Sequence, residues 1–525
     1  MSFKRLDAGG AGRDLAAPNP VSRRRFIGGA ALSGLAFGHR AFAADEPVKG
    51  GKLTMAYTAP VDSLDPRVTY AIAGQQVSGA IFDNLVFDNN GKLEPQLAIA
   101  WQAENGAREW VFMLREGVKF HDGRELTSED VAATLNLCFD KAKGRLLFNA
   151  LGPLKSVTTE GRSKIRLTFT QPFSEAPAAV SARWMRIMPA NNLETMGERP
   201  IGTGPFMFKD FQPGSSATIV RNPNYWIPER PYLDEITIVG IADSVTQQAA
   251  IRSGNVQVLN TIPTETFLSL RHARGLVGTS EAGAKFHCLL TQLNMPPFDN
   301  QKVREAFRYM IDRPALVAAA LLGQGVVAND YPFLPTDAYA PPDAPAHIQD
   351  LKKARALLDE AGHGEMKLDM WTMSERPPSP KIALSLKEAA AKIGVTINVI
   401  DVPYTEYAAN IVRKKGLYTT GTFASGVNLF SNIYSLYHST GTVNYSGMES
   451  GPGTDAKLEE LMATTDTAKR ITMMREINET IAAYSEKAIP YFMNTSVVMS
   501  DRVQGFAFPR YDLIDLGRVW MKPGV

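Results

Sequence analysis

Histidine, cysteine and glycine are the residue types from which this chain could build a reactive centre, and none recurs at a spacing that chemistry requires. Six of the seven histidines lie beyond residue 43: His121, His272, His287, His347, His363 and His438. No two stand three to five apart, as a shared metal site on one element would need. No His-Glu-x-x-His, Gly-x-Ser-x-Gly, Ser-x-x-Lys or Gly-Lys-Ser/Thr occurs. Gly202-Thr203-Gly204-Pro205 looks like half a phosphate loop, but Pro205 removes a backbone donor where such a loop needs one, so a turn is the reading. The two cysteines, Cys138 and Cys288, form no Cys-x-x-Cys pair, which leaves iron–sulfur and thioredoxin-type redox chemistry without support. Cys138 falls in a helical pattern and Cys288 in an apolar run over 286–290; both read as buried thiols, with a disulfide between them left open. No metal and no cofactor is expected.

The elements that would position any site alternate between the two periods. Residues 51–57, 110–114 and 165–170 alternate as half-buried strands, the last with Ile165, Leu167 and Phe169 on one face. A helix is predicted over 76–82. Thr127-Ser128-Glu129-Asp130 is a capping box that opens a helix predicted to reach residue 141. Helices follow over 302–313, ended by Pro314, over 351–361, stopped at Gly362, and over 380–393, leading into a strand at 395–400. Residues 455–486 read as one or two long helices. Alternation of this kind in both halves predicts α/β lobes around buried sheets, with no repeat and no low-complexity linker between them.

The segment 22–43 reads as an export signal. Ser22-Arg23-Arg24-Arg25-Phe26 supplies a twin arginine, 27–37 a short apolar run, and Ala41-Phe42-Ala43 a small-residue cleavage site. Its apolar run is too short to span a bilayer, which takes about 20 residues. The first 43 residues carry seven Lys/Arg against two Asp/Glu, and the remainder 49 against 52, a net charge of −3. That mixed balance lacks the concentrated basic face of a nucleic-acid binder. The expected product is a soluble, monomeric periplasmic protein exported by the twin-arginine route and carrying no lipid anchor.

Several blocks in fixed order then give a resemblance. They are Leu64-Asp65-Pro66; Ile81-Phe82-Asp83-Asn84-Leu85; Pro95-Gln96-Leu97-Ala98 with Trp101; and Phe112-x-Leu114-Arg115 followed by Val118-Lys119-Phe120-His121-Asp122-Gly123. Further on come Gly202-Thr203-Gly204-Pro205-Phe206, Arg221-Asn222-Pro223-Asn224-Tyr225-Trp226, and Phe298-Asp299 with Val303-Arg304. Over residues 50–517 the chain resembles the family 5 extracellular solute-binding proteins, the peptide, oligopeptide and nickel receptors of ABC importers, and the dipeptide receptors most closely. The resemblance implies an α/β, two-lobed periplasmic binding protein (type II, cluster C) with a subdomain inserted in lobe 1 and paired hinge strands near 286–294 and 491–497. Its implied divisions are signal 1–43, lobe 1 over 44–285 with the insertion at about 75–200, lobe 2 over 286–495, and a return to lobe 1 over 496–525. Lobe closure around the ligand would present the protein to ABC permease subunits.

The same resemblance implies where ligand would touch. In dipeptide receptors an arginine of lobe 2 holds the peptide carboxylate; here Met370-Trp371-Thr372-Met373-Ser374-Glu375-Arg376-Pro377 offers Trp371 and Arg376, one residue shorter than the family spacing. A guanidinium fork meets a carboxylate bidentately; a loop arginine paired with Glu375 is the other reading. The family's acidic clamp for the ligand's ammonium is replaced by 420–428, which holds no carboxylate and ends at Asn428, a neutral hydrogen-bonding group. A buried ammonium without a counter-charge is costly, so the expected ligand is peptide-like, opine-like or another organic acid, with its amine masked or absent. Tyr57, Thr58, Tyr70, Trp184 and Arg186 complete the expected walls, with core packing the alternative for each. The main reading is therefore a substrate-binding protein, not an enzyme. A secreted hydrolase or redox enzyme, or a receptor serving a chemoreceptor, stand as alternatives.

Overall fold

Runs rich in Val, Ile and Thr pair into one eleven-stranded sheet in the computed structural model, which describes residues 46–89, 91–343, 347–423, 428, 430–508 and 513–523. The chain divides into two compact units, Met1–Glu46 and Pro47–Val525, and all the described elements lie in the second. The signal reading over 22–43 therefore lies outside the described residues.

The sheet runs in the order Val395–Asp401, Met366–Thr372, Leu417–Phe423, Leu276–Thr291, Lys487–Ser500, Val258–Asn260, Lys52–Tyr57, Glu235–Gly240, Ser216–Arg221, Phe206–Gln212. Gly325–Val327 pairs on Lys487–Ser500 off this path. Lys52–Tyr57 is parallel to both its neighbours, and its Leu53, Met55 and Tyr57 are each 1% exposed, as expected for a strand covered on its faces.

Two long antiparallel strands, Leu276–Thr291 and Lys487–Ser500, carry the sheet from one half of the protein to the other. Val258–Asn260 pairs with 497–499 at one end, and Leu417–Phe423 with 285–291 at the other. Between these, 280–282 pair with 494–496, Gly283 and Ala284 fall in a register irregularity between Ala282 and Lys285, and the Asn494 amide donates to Gln324 O at 3.2 Å. On the first strand this stretch lies just before 286–294, and on the second 494–496 lies within 491–497, the two crossings the resemblance implies. Residues 285–291 pair with Leu417–Phe423. A ribbon of two strands with a break in its ladder bends more easily than a sheet held on both sides.

Residues between Val86 and Phe169 build separate sheets. Ala98–Glu104, Glu109–Leu114, Lys164–Phe169 and Leu154–Thr159 form a four-stranded antiparallel sheet, and Val86–Asn89 with Lys92–Pro95 a hairpin. Ile165, Leu167 and Phe169 all face inward at 3% exposure or less. The capping box forms as read, with Thr127 N donating to Asp130 Oδ2 at 3.0 Å. Its helix ends at Asn136 rather than at 141, because Asp140 accepts from the amides of Ala142 and Lys143 and starts a new helix, Lys141–Gly144. Asp466 likewise caps Thr467–Tyr484, so the stretch read as one or two helices over 455–486 forms two, Thr454–Ala463 and Thr467–Tyr484. Gln301–Met310 stops short of 313, since Asp312 caps Arg313–Leu321 with Pro314 in its first turn.

Two buried ionic knots hold the second half together and tie it to the first. Asp330, fully buried, accepts from Arg313 Nη2 at 2.8 and 2.7 Å and from the amide of Ile489 at 2.8 Å, with His347 Nδ1 2.7 Å away. The second joins Arg470 to Glu175 and Ser174, while the Ser174 amide donates to Met462 O at 2.7 Å. That pair fastens the end of the four-stranded subdomain to the two C-terminal helices.

The Gly202–Pro205 turn is a packing device. A Cβ on Gly202 would lie 2.0 Å from the Ile81 carbonyl oxygen, and the Gly204 amide donates to that oxygen at 2.9 Å. His121 closes the turn, accepting from the Gly202 amide at 3.3 Å with Nε2 3.1 Å from Gly204 O. Gly202→Ala is expected to cost about 1–3 kcal/mol of stability by overpacking, read from urea unfolding. An unchanged midpoint would show that the two backbones separate freely.

Candidate functional site

In open α/β sheets, ligands meet the loops at the carboxyl ends of the parallel strands. Met366–Thr372 ends here in the loop that carries Arg376, and the helix Pro378–Ala391 begins just beyond it. Arg376 is half-buried. Its guanidinium makes no hydrogen bond or ion pair among the described residues; its one aromatic neighbour is Tyr404, 5.8 Å from the ring centre. Glu375 turns away and accepts from the Tyr404 amide at 3.3 Å, so the paired-loop reading of Arg376 does not hold.

A cavity of about 250 Å³ lies between the subdomain, the ribbon and the C-terminal segment. Three of the eight expected residues line it, Trp184, Arg186 and Asn428, together with Arg183 and with Lys285 of the strand Leu276–Thr291; Arg376 is not part of its lining. Asn428 is 5% exposed, although 424–427 and Leu429 of its loop lie outside the described residues. The Trp184 indole N–H is buried without a hydrogen-bond partner, and the Arg183 guanidinium sits 5.7 Å from the ring. Arg186 is a brace. Its fork donates to Asn84 Oδ1 at 2.5 Å and to Arg183 O at 3.0 Å, and Asn84 in turn donates to Ala182 O at 2.8 Å. Burial, reinforced by Arg183 and partly offset by Asp83, pulls Arg186 down to about 10.

The acids at this cavity are all engaged. Asp83 accepts from Trp226 Nε1 and Thr203 Oγ1, each at 2.9 Å, and burial holds its carboxyl above the usual range despite these bonds. Asp88 accepts from the Gly91 amide, Glu94 pairs with Lys92, and Asp515 with Arg518. None is a spare counter-charge for an ammonium.

The other expected wall residues stand apart from this cavity. Tyr57 is a core residue, 1% exposed, whose hydroxyl donates to Gln76 Oε1 at 3.1 Å and accepts from Asn260 at 3.2 Å. Thr58 donates to Thr261 O at 3.1 Å. Tyr70 is 75% exposed in a loop organised by Asp62. Trp371 lies under the Lys415 ammonium, 4.8 Å from its ring centre.

Sequence reasoning missed Lys285 and His287, although the signal was present: two polar residues alternate with Phe286 and Cys288 through an apolar run. They share one face of the ribbon. Phe286 and Cys288 face the other way into one core, and Cys138 lies in another; both cysteines are free and buried, their thiols pushed up to about 12 by desolvation. No helix among the described residues is long and apolar enough to cross a membrane, and no group of three or more metal-ligating side chains occurs among them.

Comparison with known proteins fits this architecture. The profile of the bacterial extracellular solute-binding proteins, family 5 Middle, matches residues 92–444. The glutathione-binding protein GsiB of Escherichia coli (strain K12) is 27% identical over 390 residues, 73% of this chain and 74% of its own. Among solved structures, DppA from Helicobacter pylori in complex with peptide STSA superposes with a TM-score of 0.76 at 23% identity, covering 91% of this chain and 99% of that one. HbpA2 from Haemophilus parasuis gives 0.80 at 22%, over 90% and 100%. AgaA from A. tumefaciens R10 in complex with agropinic acid gives 0.75 at 23%, over 90% and 99%. With two lobes' worth of sheet hung on one ribbon, and a family profile spanning most of its length, this chain belongs to the bacterial extracellular solute-binding proteins of family 5.

Proposed function

We propose that this protein is the soluble receptor of an ABC importer, capturing a small carboxylate-bearing, peptide-like solute and delivering it to a membrane permease without making or breaking a bond. The observation that carries the ligand class is Arg376: a guanidinium at the carboxyl end of a parallel strand with no acidic partner among the described residues. Glutathione, a peptide and agropinic acid, the ligands named for the relatives, all carry a carboxylate. Engaged acids at the cavity and a 420–428 stretch without carboxylates favour a ligand whose α-amine is masked or absent. Two lobes, over 44–285 with 496–525 and over 286–495, would close by bending the 279–284 ribbon, and ligand touching both would shift the population toward the closed form. Micromolar capture corresponds to roughly 8 kcal/mol, within reach of one charge-assisted fork and apolar walls. The twin arginine at 23–25 would direct export to the periplasm, with cleavage after Ala43.

Isothermal titration with glycylglycine, its N-acetylated form and glutathione tests the ligand class. The acetylated form is expected to bind at least as well as the free dipeptide. Tight binding of the free dipeptide alone would remove the masked-amine reading.

A further inference from the structure

We propose that His287 is a second ligand-contacting residue beside Arg376, and that capture of an anion there is linked to uptake of a proton by its imidazole. The proposal rests on the receptor reading above and specifies how its anionic end is held.

Geometry supplies the first reason. A Cβ placed on Gly421 would lie 3.0 Å from Arg376 Nη1 and 3.2 Å from His287 Nε2, so both nitrogens pack against the same glycine, and both side chains are half-buried there rather than closed off. Gly421 pairs directly with His287 across the sheet, and its backbone does not require glycine, since its φ is not positive. A side chain at 421 would crowd both the guanidinium and the ring.

Orientation supplies the second. His287 Nδ1 is 2.7 Å from Ser379 Oγ, at the start of the helix Pro378–Ala391. With Ser379 donating to Nδ1, the neutral ring carries its proton on Nε2 and donates toward the space beside Arg376. With the ring protonated, Nδ1 donates to Ser379 and Nε2 still donates to the same space. In either state the Nε2–H and the guanidinium converge on one acceptor, which suits a carboxylate.

The coupling follows from the surroundings. The groups facing His287 are Lys285 on its own strand, Gly421 on one neighbour, Tyr491 opposite on the other, Ser379 on the covering helix and Arg376 in the loop before it. Burial first, then the Arg376 charge, draws the ring from 6.5 down to about 4. A bound carboxylate offsets the Arg376 charge and adds its own attraction, raising the ring again. Between these limits each ligand bound brings a fraction of a proton with it. Affinity should therefore rise as pH falls, by roughly twentyfold between pH 7 and pH 5 if the bound ring returns to its ordinary value.

The test uses the whole chain and N-acetyl-glycylglycine and glutathione as probes. Histidine-ring NMR, with the His287 signal assigned by its loss in His287→Gln, should give a midpoint near 4 that moves upward in Arg376→Gln without ligand. Titration calorimetry at pH 5.5 in two buffers of different ionisation heat should show proton uptake on binding, lost in His287→Gln. Gly421→Ala should weaken both probes at least several-fold, since its methyl would crowd both the Arg376 guanidinium and the His287 ring, and a thermal melt beside it separates this loss from one of stability. Binding without proton uptake, or an unmoved midpoint in Arg376→Gln, overturns this proposal alone. Failure of every carboxylate probe to bind overturns the receptor reading beneath it.

Discussion

Asp330→Ala is expected to lower the unfolding free energy by about 3–5 kcal/mol, because it leaves a buried guanidinium without its counter-charge. Arg313 is among the largest fully buried side chains, and its Nη2 donates to both Asp330 oxygens. The same carboxylate holds the Ile489 amide in the long strand Lys487–Ser500 and lies 2.7 Å from His347. Removing it therefore loosens a ribbon strand as well as a helix. Burial would raise the Asp330 carboxyl, but Arg313, His347 and Arg308 outweigh it and hold it well below the ordinary 3.8. A carboxyl depressed on folding stabilises above its unfolded value and loses that contribution as pH falls through the folded one. Acid should accordingly destabilise the wild type below about pH 4 more steeply than the variant. Denaturant unfolding at pH 7 and pH 3 measures both effects. A variant within 1 kcal/mol of wild type at pH 7 would show that water or rearrangement satisfies Arg313.

Arg376→Ala is expected to weaken a carboxylate ligand by roughly ten- to hundredfold, the worth of a charge-assisted hydrogen bond at about 1.5–3 kcal/mol. Its thermal midpoint should stay close to wild type, since the side chain has no ion pair to lose and its contact with the Tyr404 ring is long, at 5.8 Å. Arg376→Lys keeps the charge but not the planar fork, so it should recover only part of the affinity. Calorimetry with N-acetyl-glycylglycine, beside a thermal melt of each variant, separates the two readouts. Equal affinity in wild type and alanine variant would move the anion site elsewhere, with Lys285 and Arg183 at the cavity the next candidates.

The histidines separate the two kinds of burial. Burial draws His121 down to about 4, as it does His287, but the His121 ring is spent on the Gly202–Pro205 turn. Nothing in the sequence distinguishes them, because the difference is whether the second ring nitrogen meets a backbone carbonyl or lies beside Gly421 and the Arg376 guanidinium.

The sequence by itself determined the element types, their order and the family. Period-two and period-3.6 patterns, a capping box at Thr127 and Asp130, and a stop signal at Gly362 are local, so residues a few positions apart contain all the information they need. It erred where a local choice had a close competitor, as when Asp140 began a new helix inside one already under way. Tertiary structure alone decided which polar groups were free. Arg186 and Tyr57, both read as wall candidates, hydrogen-bond with Asn84, and with Gln76 and Asn260, while Arg376 has no acidic partner among the described residues. It also decided that Gly421, a strand residue with no signature of its own, would sit between Arg376 and His287, 45 and 134 positions away in the chain. Whether a hydrogen-bonding group is satisfied depends on partners brought in by packing from distant segments, and no local pattern encodes them.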